Sequence, residues 1–299
     1  MTTTVTRRPP WEEKPTPVGV FLKGVALTLV VLAVLIPMWS VLVTSLASRE
    51  TIAEAGGSMV FLPKEIDFTA YRTIFSGGIV TRALWISTLV TVSGTAVSLS
   101  LTVLAAYGLS RANSFGHRSI LFYFLLTFLI YPGLVPSYLV VTGVGLKDSL
   151  WSLILPSAIS VFNLVVIRGF FQAIPADLLD SARIDGAGEF RILLRIVLPL
   201  SKAVVAVVGL FYAVGYWNAW FNALLYIDNS DKFPLQIILR SMILLGQSPQ
   251  FSGATTGSLP PTESIKMAVV VLTIAPILVV YPFIQRHFIK GVILGAIKG

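Results

Sequence analysis

The sequence predicts an all-α polytopic membrane protein of six transmembrane helices, with both termini cytoplasmic. Three observations carry this. Hydrophobic residues make up 55% of the 299-residue chain and charged residues only 12%, at a mean hydropathy of +0.84. A water-exposed surface needs more polar side chains than such a chain supplies. Six windows, 24–48, 83–109, 119–146, 149–167, 203–227 and 267–285, hold no charged residue, and about 20 apolar residues cross the hydrocarbon as a helix. Basic residues, finally, divide unequally between the connecting segments.

Residues 1–20 read as a cytoplasmic tail. The pair Arg7 and Arg8 is followed by Trp11, Glu12 and Glu13, and the apolar run that comes next is too long for a signal-peptide core. That run is expected to stay as the first span of a transmembrane domain covering 21–290, with 291–299 as a second cytoplasmic tail. The second window lies between Arg82 and Arg111. The third contains Pro132, Pro136, Gly143 and Gly145, so it is expected to kink, leave the membrane and run along the outer surface before the fourth. Two outer loops, about 46–82 and 228–265, are long. Within the second, "GQSPQFSGATTGSLPPTE" has the composition of a flexible surface segment.

With the N-terminus inside, Arg7, Arg8, Lys14, Lys23, Arg111, Arg118, Arg168, Arg183, Arg191, Arg195, Lys202, Arg286, Lys290 and Lys298 face the cytoplasm, 14 of the 22 basic residues. The outer segments hold eight basic and eight acidic residues, so the net charge of +8 belongs to the inside. This is the positive-inside pattern, and it makes a nucleic-acid partner unnecessary.

Several chemistries are excluded. Without cysteine there is no disulfide, thiolate metal site or Cys nucleophile. His117 and His287 sit singly beside arginines at the ends of apolar runs, as membrane-interface residues do. No G-x-x-x-x-G-K-[ST], G-x-S-x-G or H-E-x-x-H occurs. "GAGEFR" lacks the third glycine and the preceding strand of a dinucleotide fingerprint. The chain is therefore expected to be no enzyme and to hold no cofactor or metal, its energy coming from a partner or a gradient.

Between the fourth and fifth windows lies a polar island, "IPADLLDSARIDGAGEFRILLRIVLPL". Pro175 suits the first turn of a helix. Leu179, Ala182 and Gly186 recur on one helical face that ends in small residues. After "GAG", Phe190, Leu193, Leu194 and Val197 form a second apolar face, with Arg191 and Arg195 opposite. Two short helices joined at glycines are expected, with Pro199 opening the fifth span. An amphipathic pair could lie among lipid headgroups, but such a helix needs neither the small-residue face nor the "DGAG" joint.

These residues carry a resemblance. "DSARIDGAGEFRILLRIVLP" resembles the signature loop of permease subunits in binding-protein-dependent ABC importers, which reads Glu-Ala-Ala, three residues, Gly, nine residues, Ile-x-Leu-Pro. Here the pattern is Asp180, Ser181, Ala182, then Gly186, then Ile196, Leu198 and Pro199, every spacing kept. Asp180 stands for the usual Glu and Ser181 for an Ala. The resemblance implies the type I importer transmembrane fold and a coupling loop, 175–199, that docks into the ATP-hydrolysing subunit. It implies that Asp180 would pair with a basic residue of that ATPase, that Ala182 and Gly186 would allow close approach, and that Phe190 and Leu194 would anchor the second helix. Asp185, Ile196 and Pro199 complete the set.

The resemblance runs from about residue 20 and narrows to the carbohydrate-uptake branch. "GYWNAWFNALLYIDNSDKFPLQIILR" is similar to the fifth span and outer segment of oligosaccharide permeases such as the smaller maltose permease subunit. "FFQAIP", "ARIDGAGEFR" and "PLSK" are similar to those of permeases for polysaccharide-derived oligosaccharides. Trp217, Asn218, Trp220 and Asn222 place aromatic faces and amides near the outer end of a span, the two things a sugar needs; an aromatic interface belt would use the same residues. The tail resembles one that reaches between the ATPase subunits, which would bring Lys298 and Gly299 near the nucleotide interface. The implied partners are a homologous permease, two ATP-binding subunits, which bind the ATP, and an extracytoplasmic solute-binding protein, in a bacterial cytoplasmic membrane with its lipid. The implied cargo is a sugar or oligosaccharide. Two other readings stay open here. One is an ion-gradient-driven secondary transporter, which normally keeps acidic residues or His inside its spans; the other is a membrane scaffold with no transport role.

Overall fold

The computed structural model describes residues 16–62, 64–76, 78–111, 116–130, 132–244 and 262–296, with side-chain surroundings given as far as residue 282. Among the described residues the only regular elements are helices, and there are no strands. Three helices are long and apolar enough to span unaided: α1 (Pro17–Ser45), α4 (Ile79–Ser110) and the portion Thr262–Pro282 of α15 (Thr262–Ala296). Between α1 and α4 lie the short α2 (Arg49–Glu54) and α3 (Thr69–Phe75). Three further helix pairs are long and apolar enough when taken together but are bent at a short break.

In the first pair, α5 (His117–Leu129) and α6 (Leu134–Gly143) meet at 120°. Gly133 caps α6 at φ +87° and Pro136 sits in its first turn, where its missing N–H is no loss. The expected kink is therefore present, and Gly145 at φ +74° ends α6. In the second, α7 (Trp151–Ile154) with its 3₁₀ extension Leu155–Ser157 meets α8 (Val161–Gln172) at 53°. Ser160 caps α8, its Oγ accepting from Asn163 N–H at 3.4 Å.

The island folds as expected into two helices, with local differences. Pro175 precedes rather than opens α9 (Ala176–Ile184), as its N-cap. Then α10 (Glu189–Ile192) leads through a π-helical turn, Leu193–Val197, to α11 (Leu198–Leu200). The fifth span, α12 (Lys202–Trp217), starts only after Ser201 and lies at 87° to this arm. Pro199 therefore belongs to the arm, not to the span. It is followed by α13 (Trp220–Tyr226) and α14 (Leu235–Leu244).

The core gathers around α4, α8 and α12. Val90, Val103, Ala106, Ile167, Phe171, Val204 and Val208 are buried there together with Leu179, Ile192, Leu193 and Val197 of the island. The arm is thus part of the core and not an appendage. A second cluster at the opposite end joins α3, α14 and α15 through Ile74, Leu235, Met242 and Val269. By contrast α1 keeps most of its apolar surface exposed, as a lipid-facing helix does. Its end is tied down by Val60 N–H donating to Thr44 Oγ1 at 2.8 Å and by Ser264 Oγ donating to Ala47 O at 2.9 Å.

Candidate functional site

Two regions of the bundle present chemistry to their surroundings, one at the island end and one toward the opposite end. At the island, α9 terminates as a Schellman motif. Ala187 N–H donates to Ala182 O at 2.9 Å and Gly186 N–H to Arg183 O at 3.0 Å, with Gly186 at φ +78°. Only glycine takes that conformation at no cost. Leu179 is buried and Ala182 packs on this chain's own core. The face expected to receive a partner thus splits, Leu179 and Ala182 turning inward while Gly186 faces open space.

The second expected face also splits. Leu193 and Val197 point into the core with Ile192, whereas Phe190 and Leu194 point out. Ordinary helix geometry accounts for this: Phe190 and Leu194, four apart, share one edge of the face, Leu193 and Val197, also four apart, share the next, and the boundary of the core runs between them. What emerges outward is an apolar ridge, Leu178 (50% exposed), Ile184 (86%), Phe190 (66%) and Leu194 (48%). Leu178 and Ile184 escape sequence reasoning because they lie off the periodic faces; Ile184 is the most exposed of the four.

Charged groups on the island bind one another. Arg183 Nη1 contacts Asp180 Oδ1 at 2.6 Å and Arg183 Nε donates to Glu189 Oε1 at 2.8 Å, bridging the two helices. The Tyr107 hydroxyl of α4 donates to Glu189 Oε2. Glu189 is held below the ordinary carboxylate range, first by the Arg183 hydrogen bond and then by that of Tyr107. Asp180 therefore has a partner within its own chain; its carboxylate is still 61% exposed. Asp185 and Ser181 are exposed and Ile196 is half-buried. Nearby, Arg168 Nε donates to Leu109 O at 2.8 Å, and its Nη2 lies 3.4 Å from His117 Nε2. Lys298 and Gly299 fall outside the described residues, as do the side-chain surroundings of His287. No group of three or more metal-ligating side chains occurs among the described residues.

The second region is a cleft of about 520 Å³ between α8, α12 and α13. Asn218, Trp220 and Asn222 line it, joined by Ser157, Ser160 and Asn163, with Phe162, Phe211 and Phe221 supplying further rings. Trp217 does not: it is buried, and its Nε1 donates to Thr273 O of α15 at 3.0 Å. α12 ends at Trp217 and α13 begins at Trp220, so the break at Asn218 and Ala219 turns apart two positions that one continuous helix would place on the same face. Asn163 was not legible as a cleft residue because it comes from a different span. The cleft wall is fixed by two tyrosines. Tyr212 OH lies 2.7 Å from Thr102 Oγ1 and accepts from Ser160 N–H at 2.9 Å. Tyr216 OH lies 2.6 Å from Ser98 Oγ and donates to Ile154 O at 3.2 Å.

Comparison with known proteins agrees with this architecture. Residues 19–294 match the family described as "Binding-protein-dependent transport system inner membrane component". The polygalacturonan/rhamnogalacturonan transport system permease protein YtcP of Bacillus subtilis is 44% identical over 266 residues, 88% of this chain and 92% of that protein. The arabinooligosaccharides transport system permease protein AraQ of the same organism is 29% identical, covering 89% and 91%. Among solved structures, a bacterial ABC transporter involved in the import of the acidic polysaccharide alginate superposes with a TM-score of 0.85 at 28% identity, over 94% of this chain and 100% of that one. These matches set aside the ion-gradient-driven carrier and the scaffold. The chain belongs to the family of binding-protein-dependent transport system inner membrane components, and its fold is that of an ABC importer permease, a multi-pass protein of the cytoplasmic membrane.

Proposed function

We propose that this chain supplies half of the translocation pathway of an ATP-driven importer for oligosaccharides, acidic ones included, and that the arm formed by residues 175–199 couples it to a separate ATPase. The observation that carries the reading is the exposed ridge of Leu178, Ile184, Phe190 and Leu194 on an arm otherwise built into the core. Covering a side chain such as Ile184 or Phe190 contributes about 1.5–3 kcal/mol, so a groove that received the ridge would hold it firmly. In this reading both termini are cytoplasmic and the tail residues Lys298 and Gly299 lie near the nucleotide interface. ATP belongs to the two ATPase subunits, and this chain binds no cofactor and performs no covalent chemistry. A second homologous permease completes the pathway, and a solute-binding protein delivers sugar from outside.

The cleft supports the cargo class. Trp220, Phe162, Phe211 and Phe221 offer ring faces to sugar C–H groups. The Asn163 and Asn222 amides line the same cleft and would serve sugar hydroxyls. Relatives named for polygalacturonan, rhamnogalacturonan and arabinooligosaccharides fit this chemistry.

The test is to tag the chain in its host, solubilise it gently and identify what co-purifies, for wild type and for Ile184→Glu with Phe190→Glu. A Walker-containing ATPase and a second permease should accompany wild type. The variant should keep the permease and lose the ATPase. Wild type that carries no ATPase, under conditions that preserve other membrane complexes, would sink the importer reading.

A further inference from the structure

We infer that Arg240 is a specificity-determining residue, a guanidinium at the rim of the cleft that receives the carboxylate of an acidic sugar. This rests on the reading of the cleft as an oligosaccharide site and adds a charge to it. Arg240 stacks on the Trp220 ring at 3.8 Å from the centroid, and Trp220 lines the cleft. One helical turn earlier on the same face of α14, Gln236 Nε2 donates to Asn218 Oδ1 at 3.1 Å, and Asn218 is also a cleft residue. The Gln236–Arg240 edge of α14 therefore packs directly against two of the residues that line the cleft.

The cations around the connection 227–234 are all engaged: Lys147 with Asp228, Lys232 with Asp148, and Arg82 with Asp231. Arg240 has no ion pair among the described residues, and residues 245–261, which follow α14, include no Asp or Glu. With its Cζ anchored over the indole, the guanidinium carries a planar N–H fork of the kind that takes a carboxylate through two parallel hydrogen bonds. Stacking on Trp220 also limits the rotamers that binding would freeze. A neutral sugar could use the amides and rings of the cleft but would leave this fork unanswered. A uronate residue answers it.

The test uses the complete purified importer with its binding protein in proteoliposomes, and two probes of equal length, trigalacturonate and its fully methyl-esterified form. The readouts are uptake KM and basal ATP hydrolysis. Arg240→Gln should raise KM for trigalacturonate at least about tenfold, the scale of one charged hydrogen-bonded contact, and leave the ester and basal hydrolysis nearly unchanged. Arg240→Lys, which keeps the charge but not the fork, should fall between. An equal rise for both probes would mean that Arg240 merely supports Trp220, and no rise for either would mean that it does not meet the cargo; both overturn the inference alone. Uptake of neither probe by wild type overturns the acidic-oligosaccharide reading together with it.

Discussion

At Gly186 the backbone stands at φ +78° with open space where a side chain would go. Conformation, not crowding, therefore decides what the position tolerates. A β-branched residue there costs about 1–2 kcal/mol, whereas asparagine enters the left-handed region readily. Gly186→Val should weaken retention of the ATPase in pull-downs more than Gly186→Asn does; equal retention would show that the Schellman glycine is not what shapes the docking surface. Glu189 gives a second prediction. Its folded-state pKa is lowered by Arg183 and Tyr107, so its link between α9, α10 and α4 is fully present above the ordinary carboxylate range. It is lost as pH falls through the lowered value. Glu189→Gln should mimic the acid state at neutral pH, loosening the arm in hydrogen exchange at Ala182–Glu189 while α12 stays protected. The signature spacing from Asp180 to Pro199 was legible residue by residue, yet the direction each side chain takes was not. Direction is set by what packs on the α4, α8 and α12 core, and the periodicity of the island alone does not say which edge of each apolar face turns toward it.

At the scale of elements, α4 and α12 are joined side by side by hydroxyls, Ser98 to Tyr216 and Thr102 to Tyr212. Gly94 makes room for one of those rings: a Cβ there would stand 2.9 Å from Tyr216 Cδ2 and Cε2. The pair cannot separate to admit a methyl without giving up the Ser98 contact. Gly94→Ala should therefore destabilise the protein by about 1–3 kcal/mol, the usual cost of overpacking, seen as a lower midpoint in thermal unfolding of the solubilised complex. An unchanged midpoint would mean that α12 repacks freely. The spans themselves were readable, because six charge-free windows leave little choice of where helices cross. Of their bends, the one between α5 and α6 was announced by Pro132 and Pro136. The one between α11 and α12 was not, since it turns at Ser201, an unremarkable residue whose neighbours Val197 and Val204 are both drawn into the core. Likewise the cleft needed Asn163 of α8 beside Asn222 of α13, a juxtaposition made by packing and invisible in either segment alone.

For the whole molecule, the end away from the island is closed by a clasp of charges. Asp148, at φ 56°, takes N–H groups from Asp228 at 3.2 Å and Asn229 at 3.0 Å and pairs with Lys232 at 2.7 Å. It thereby ties the segment after α6 to the segment after α13. Lys232 first, and the Asn229 N–H next, hold Asp148 below the ordinary carboxylate range. The clasp is complete above the unfolded-state value of about 3.9 and is lost as pH falls through the lowered one. Acidification should thus expose residues 144–150 to protease before the core yields, and Asp148→Asn should bring that exposure to neutral pH; identical cleavage of variant and wild type would refute the clasp.

The right angle at Ser201 has a mechanical meaning. The arm Glu189–Leu200 and the span α12, of 16 residues, form the two limbs of a bell crank, about 18 Å and 24 Å long at 1.5 Å per residue. Because buried valines on each side grip the corner, it should turn as one piece. A displacement of about 1 Å at the tip of the arm would become about 1.3 Å of sideways travel at Trp217, the far end of α12, whose last turns line the cleft. In the proposed importer, a thrust delivered to the arm would thereby be turned through a quarter circle and returned, slightly enlarged, as a sweep of the cleft wall.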